Sequence, residues 1–187
     1  MPSSSTMSAS EFLAWERDQP ERHEYARGEV FAMAGGSPRH NALSAAILRD
    51  LGVALRGSRC RVLGSDQRIA AWPGEHYVYA DASLTCGEFE LAEGTRDVLA
   101  NPRAVFEVLS RSTEAYDRGD KWAAYRRIAS LHEYVLVSQA MPRIEKFWRE
   151  DGGWHYEVVE AGARLRVADF ELPIDAIYEG VFELPGE

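Results

Sequence analysis

"AVFEVLSRSTEAYDRGDKWAAY", residues 104–125, joins two periodicities. Ala104, Val105, Phe106, Val108 and Leu109 form a nearly continuous apolar run, the pattern of a strand covered on both faces. Trp122, Tyr125, Ile128 and Ala129 then recur at helical spacing. Glu107 interrupts the strand, and Lys121 arrives where the spacing predicts a helix beginning near Asp120. A buried carboxylate ion without a partner costs several kcal/mol, so Glu107 needs a cation, an outlet to solvent or a functional site.

Working outward, "HEYVLVSQ" (132–139) reads as a second buried strand. "HYVYADASLTC" (76–86) is a strand interrupted by Asp81, a residue type depleted in strands, and "CRVLGSDQRIAA" (60–71) is a strand bent at Gly64. Ser37 caps a helix with Pro38 in its first position, an apolar face from Leu43, Ile47, Leu51, Ala54 and Leu55, and a stop at Gly57. Ser8 with Glu11 is a capping box for "EFLAWERD", and "HEYARGEVFAMAGG" reads as a hairpin turning near Arg27-Gly28. "RIEKFWREDGGWHYEVV" is a second hairpin, turning at Asp151-Gly152-Gly153. The order is an N-terminal helix and hairpin, then helix, three strands, helix, strand, and a C-terminal hairpin extension.

The chain of 187 residues has room for one domain, expected over 8–187 after a disordered start over 1–7. A formal charge of −9 opposes long-range attraction to DNA, although Arg39, Arg103, Arg111, Arg118, Arg126 and Arg127 could form a local phosphate track. Cys60 and Cys86 lie far apart without CxxC spacing, which argues against a disulfide framework or structural zinc and fits a reducing cytoplasm. No apolar run approaches membrane-spanning length.

Singly, Asp81 and Glu107 could pair with an arginine such as Arg103 or face solvent. Together with Lys121 they make a minimal kit for metal-dependent phosphodiester hydrolysis. Two carboxylates at adjacent strand ends offer hard oxygen ligands to Mg²⁺ (or Mn²⁺), and the cation makes water a better nucleophile. A lysine beside that water can orient it, accept its proton or steady charge on phosphorus. Glu29 or Glu24 could add a third carboxylate, and His40 with Asn41 could meet a phosphate from a helix's first turn. Asp66 reads as a turn former, and Ser110, Ser112 and Asp117 as residues that fix the loop after the strand. His23, His76, His132 and His155 have neither ligand spacing nor a nucleophile partner, so a hydrolase triad finds no support. Phe147, Trp148, Trp154 and Tyr156 on the last hairpin suggest a homodimer surface, with packing on the chain's own sheet as the plainer alternative.

"EYARGEVFAMAGGSPRHNALSAAI", "YADASL" and "FEVLSRSTEAYDRGDKWAAY" resemble the Uma-two family of endonucleases, formerly a domain of unknown function, from about Met7 to about Val181. The resemblance implies an α/β restriction-endonuclease-like fold of the PD-(D/E)XK superfamily, a mixed central sheet flanked by helices. It further implies Asp81 and Glu107 as metal ligands, DNA as the partner and no membrane. Two positions depart from the superfamily motif: Ala80 replaces proline before Asp81, and Leu109 replaces the lysine two residues after Glu107. The family resemblance moves that lysine to Lys121. These departures and the acidic charge leave open the alternative of an inactive nuclease-fold binding or assembly protein.

Overall fold

The computed structural model describes residues 6–33 and 35–186. The first half comprises α1 (Ala9–Glu16), β1 (His23–Ala26), β2 (Glu29–Ala32), α2 (Pro38–Ala54), β3 (Cys60–Gly64) and β4 (Arg68–Trp72). Next come β5 (His76–Tyr79), β6 (Ala82–Cys86), β7 (Val98–Leu99) and β8 (Ala104–Val108). A continuous helical segment then runs through α3 (Glu114–Tyr116), a π-helical turn (Asp117–Lys121) and α4 (Trp122–Tyr125). Beyond it lie β9 (Glu133–Val137), β10 (Arg143–Glu150), β11 (Gly153–Glu160), β12 (Arg164–Val167), β13 (Phe170–Pro173) and α5 (Ile174–Ile177).

The opening stretch decides the architecture as its pattern requires. All five residues of β8 are buried, and the strand lies inside a sheet of order β11-β10-β9-β8-β6-β3. β8 runs parallel to β9 and antiparallel to β6, so the sheet is mixed. Side chains alternate across a strand. Phe106 and Val108 face the core built on Leu43, Ile47 and Leu51 of α2. Val105 faces a second core with Tyr134, Tyr125 and the strands β4 and β5. Glu107 shares the parity of Val105 and therefore points into that second layer.

Two long strands expected from the sequence each divide in two. β3 and β6 belong to the mixed sheet, whereas β4 and β5 belong to a second sheet of order β2-β1-β5-β4-β7. The crossings fall at Ser65–Gln67 and at Ala80-Asp81. Both contain residues that strands disfavour, and at both the chain changes sheets rather than merely bending. Asp66 sits in the first crossing, as expected of a turn former.

Local signals are realised closely. Ser8 and Glu11 form the capping box, and Ser37 accepts the His40 backbone N–H at the start of α2. Arg27 and Gly28 (φ 48° and 94°), like Asp151 and Gly152 (48° and 77°), supply the paired positive φ of two-residue hairpin turns. Met7, expected within the disordered start, instead donates its backbone N–H to Gly28 O at 3.0 Å; residues 1–5 lie outside the described residues.

Two further expectations are corrected and one is met. The helix after β8 begins at Glu114, not near Asp120, so Lys121 lies inside the helical segment. The C-terminal hairpin extends the mixed sheet, as expected: β10 pairs with β9, and Phe147 and Trp154 pack on Trp122 with ring centroids 4.9 and 4.7 Å apart. Half of the proposed dimer aromatics thus serve the chain's own core. Finally, Cys60 and Cys86 form a disulfide. They stand directly opposite in the β3–β6 pairing, a proximity that spacing along the sequence does not reveal. Among the described residues, no helix is long and apolar enough to cross a membrane.

Candidate active site

The β6–β8 register places Ala82 opposite Phe106. Extending it by one residue sets Asp81, at the crossing between sheets, opposite Glu107. Residues directly opposite in an antiparallel pair share a face and have neighbouring Cβ atoms. Asp81 is held from two sides: its Oδ2 accepts the Val108 backbone N–H at 2.7 Å and lies 3.4 Å from His40 Nε2. Glu107 Oε1 accepts the Tyr125 hydroxyl at 3.0 Å and lies 3.0 Å from Lys121 Nζ.

Lys121 is the hub. Its ammonium donates to Tyr79 O at 2.9 Å and lies 3.2 Å from Glu24 Oε1 and 3.7 Å from Asp117 Oδ1. Glu24 Oε1 also accepts the Tyr79 backbone N–H at 3.0 Å. Tyr79 ends β5, where ladder partners run out, so a carboxylate and an ammonium satisfy its main chain instead. Asp117 accepts the Thr113 hydroxyl at 2.8 Å, and that hydroxyl also meets Ser110. Asp117 and Lys121 bound the π-helical turn, a feature often found at functional sites. Glu24, Glu107, Asp117 and Lys121 are all buried.

Burial drives the electrostatics. It raises the Glu107 carboxyl well above its ordinary range; Lys121 opposes this, while Asp117, Asp81 and Glu24 reinforce it. Burial likewise raises Asp117 against the opposing pull of Lys121 and Thr113. For Lys121, burial disfavours the charge, but Glu107 and Glu24, with Tyr125 and Asp117, outweigh it and raise the ammonium well above its ordinary value. Glu107 and Asp117 therefore hold their protons more firmly than ordinary carboxyls, beside a firmly charged lysine.

The structure brings Asp81, Glu107 and Lys121 together and adds His40 beside Asp81. Glu29 is exposed on β2, and among the described residues no ion pair joins it to this group. Asn41 donates to Gly36 O and Ser37 O, closing its own helix end. Glu24 and Asp117 are the members underweighted by sequence reasoning. The four-residue spacing of Asp117 and Lys121 was the available signal for one of them. Among the described residues, no three His, Cys, Asp or Glu side chains are grouped to hold a metal ion. Mg²⁺, which keeps several waters, asks for only one or two carboxylates.

Residues 9–175 match the model of the Uma2 family, described as "Putative restriction endonuclease". "Uncharacterized protein slr1290" of Synechocystis sp. is 35% identical over 178 residues, spanning 94% of this chain and 93% of that protein. "Uncharacterized protein sll1609" of the same organism is 30% identical over 141 residues, 75% of this chain and 80% of that one. A crystal structure described as a putative nuclease belonging to DUF820, from Anabaena variabilis, shares the fold with a TM-score of 0.75. It covers 94% of this chain and 99% of its own at 16% identity. On the extent of the family match and of its relatives, the chain is a member of the Uma2 family.

Proposed function

We propose that the chain is a Mg²⁺- or Mn²⁺-dependent endonuclease that hydrolyses phosphodiester bonds in DNA. Asp81 and Glu107 are its metal ligands, and Lys121 assists the attacking water. The observation that carries this reading is the opposition of Asp81 and Glu107 across β6 and β8 with Lys121 3.0 Å from Glu107. The donor set fits a hard cation. The contacts described above engage Asp81 through Oδ2 and Glu107 through Oε1. When bound, the cation would supply Lewis acidity toward the phosphate and acidify water.

The protein's own contribution is orientation and charge. The raised Lys121 pKa supports a hydrogen-bonding and electrostatic role rather than that of a base. An ammonium has three N–H donors, and Tyr79 O, Glu107 and Glu24 lie within 3.2 Å to take them. Water or phosphate must replace one acceptor. Glu24 is held by the Tyr79 N–H and Glu107 by the Tyr125 hydroxyl, so each carboxylate keeps a hydrogen bond when the ammonium turns to water or phosphate. His40 keeps Asp81 in place. A homodimer would present two such sites to a duplex, and Tyr156 and Val158, exposed on edge strand β11, offer apolar surface for it on that hairpin.

Calorimetric titration of Mn²⁺ together with cleavage of supercoiled plasmid tests the reading. Wild type should bind and cut, and Asp81→Ala should lose both while remaining folded. Wild type that neither binds the cation nor cuts DNA would make the cluster a structural ion-pair network.

A further inference from the structure

Next to the candidate site the surface closes around a cavity of about 370 Å³. Arg39, Arg111, Arg118 and Arg143 line it together with Glu114 and Glu145. In a chain of net charge −9, four guanidiniums against two carboxylates is a local reversal of sign. Part of this charge is already neutralised. Arg118 grips Glu145 through two hydrogen bonds of 2.9 and 2.8 Å and also bonds Glu114. Arg143 reaches Glu145 and Glu160 only at 3.9 and 3.7 Å. Arg39 has no carboxylate within ion-pair distance among the described residues; it donates to Gln139 O and Leu184 O and lies over the Phe182 ring.

The cavity is tied to the catalytic carboxylates through adjacent residues. Arg39 immediately precedes His40, which contacts Asp81. Leu109, in the wall, lies two residues beyond Glu107. The walls are fixed: Gln139 donates to Leu109 O at 2.8 Å and accepts the Ser37 hydroxyl at 2.9 Å, joining β8, β9 and α2. A rigid cationic cleft whose wall begins two residues beyond Glu107 suits a phosphate adjacent to the one being cut.

We infer that this cleft holds the phosphodiester backbone of the DNA strand flanking the scissile bond, with Arg39 and Arg143 contacting its phosphates. The inference rests on the phosphodiester substrate proposed above. Sequence-independent phosphate contacts appear as salt-dependent affinity, whose slope falls by about one for each contact removed. The test is fluorescence anisotropy of a fluorescein-labelled DNA 20-mer, single-stranded and duplex, with EDTA present so that binding is read apart from cleavage. Arg39→Gln and Arg143→Gln should each weaken binding several-fold and lower the salt slope by about one. Arg164→Gln, which removes a guanidinium paired with Glu171 outside the cleft, should change neither. Because Arg39 also anchors the C-terminal segment, thermal unfolding accompanies every variant, and the half-exposed Arg143 gives an independent reading.

Unchanged affinity and slope in both cleft variants, or an equal loss in Arg164→Gln, would overturn the assignment. So would wild type without measurable binding. Displacement of the oligonucleotide by inorganic phosphate at matched ionic strength would also overturn it, reducing the cleft to a free-phosphate site. If the cleft variants lose binding as expected but no divalent cation supports cleavage, the cleft stands and the nuclease reading falls.

Discussion

Lys121 neutralises carboxylates from three parts of the chain: Glu24 on β1, Glu107 on β8 and Asp117 one helical turn away. Removing one partner of a buried ion pair is far costlier than its net contribution suggests, because the other charges stay buried. Lys121→Ala should therefore lose about 3–5 kcal/mol of stability, besides cutting more slowly. Urea unfolding checks this; a loss below about 1 kcal/mol would mean that the ammonium contributes little to holding the cluster. Asp81 and Glu107 stood out in the sequence because each interrupts a strand, where a carboxylate is unwelcome, and Lys121 stood out through the family resemblance. Glu24 and Asp117 were weakly legible because a carboxylate is ordinary in a short hairpin or a polar loop. Only tertiary packing buries them.

At the level of strands and helices, caps and hairpin turns could be read from sequence because their chemistry is local. The exchange of strands between sheets could not, since Gly64-Ser65-Asp66 reads equally as a bend, and Asp81 as an interruption, within one continuous strand. The Cys60–Cys86 link escaped for the same reason: strand pairing decides it, not spacing. It fastens β3, at the sheet edge, to β6, the strand that begins beside Asp81. A cross-link closing 26 residues of chain constrains the unfolded state by about 3–4 kcal/mol. Cys86→Ser should cost that much under oxidising conditions and little when wild type is already reduced. Paired thermal melts with and without dithiothreitol measure the difference; equal melts for oxidised and reduced wild type would remove the stabilising role.

For the whole molecule, the buried acids set a pH dependence. Glu107 and Asp117 have folded-state pKa values raised above their ordinary 4.5 and 3.8, so above those values the folded chain retains protons that the unfolded chain has lost. Stability from these two groups must then decline as pH rises from the ordinary carboxylate range through their raised values. Lys121 acts in the opposite region: its contribution persists below 10.5 and is lost only as pH climbs through its raised value. Glu107→Gln should flatten the decline above the carboxylate range and abolish divalent-dependent cleavage while keeping the fold. Calorimetric melting from pH 5 to 8 decides it, and a slope identical to wild type would refute it. The contact between Glu24 and Lys121 also bears on modularity. The hairpin carrying Glu24 lies in one sheet, and the opposed carboxylates lie in or beside the other. Neither sheet completes the cluster alone: a shortened chain beginning at Ser37 would keep Asp81, Glu107 and Lys121 yet lose one of the acids that hold the lysine, and inherited variation in the two sheets should be coupled in part through that ammonium.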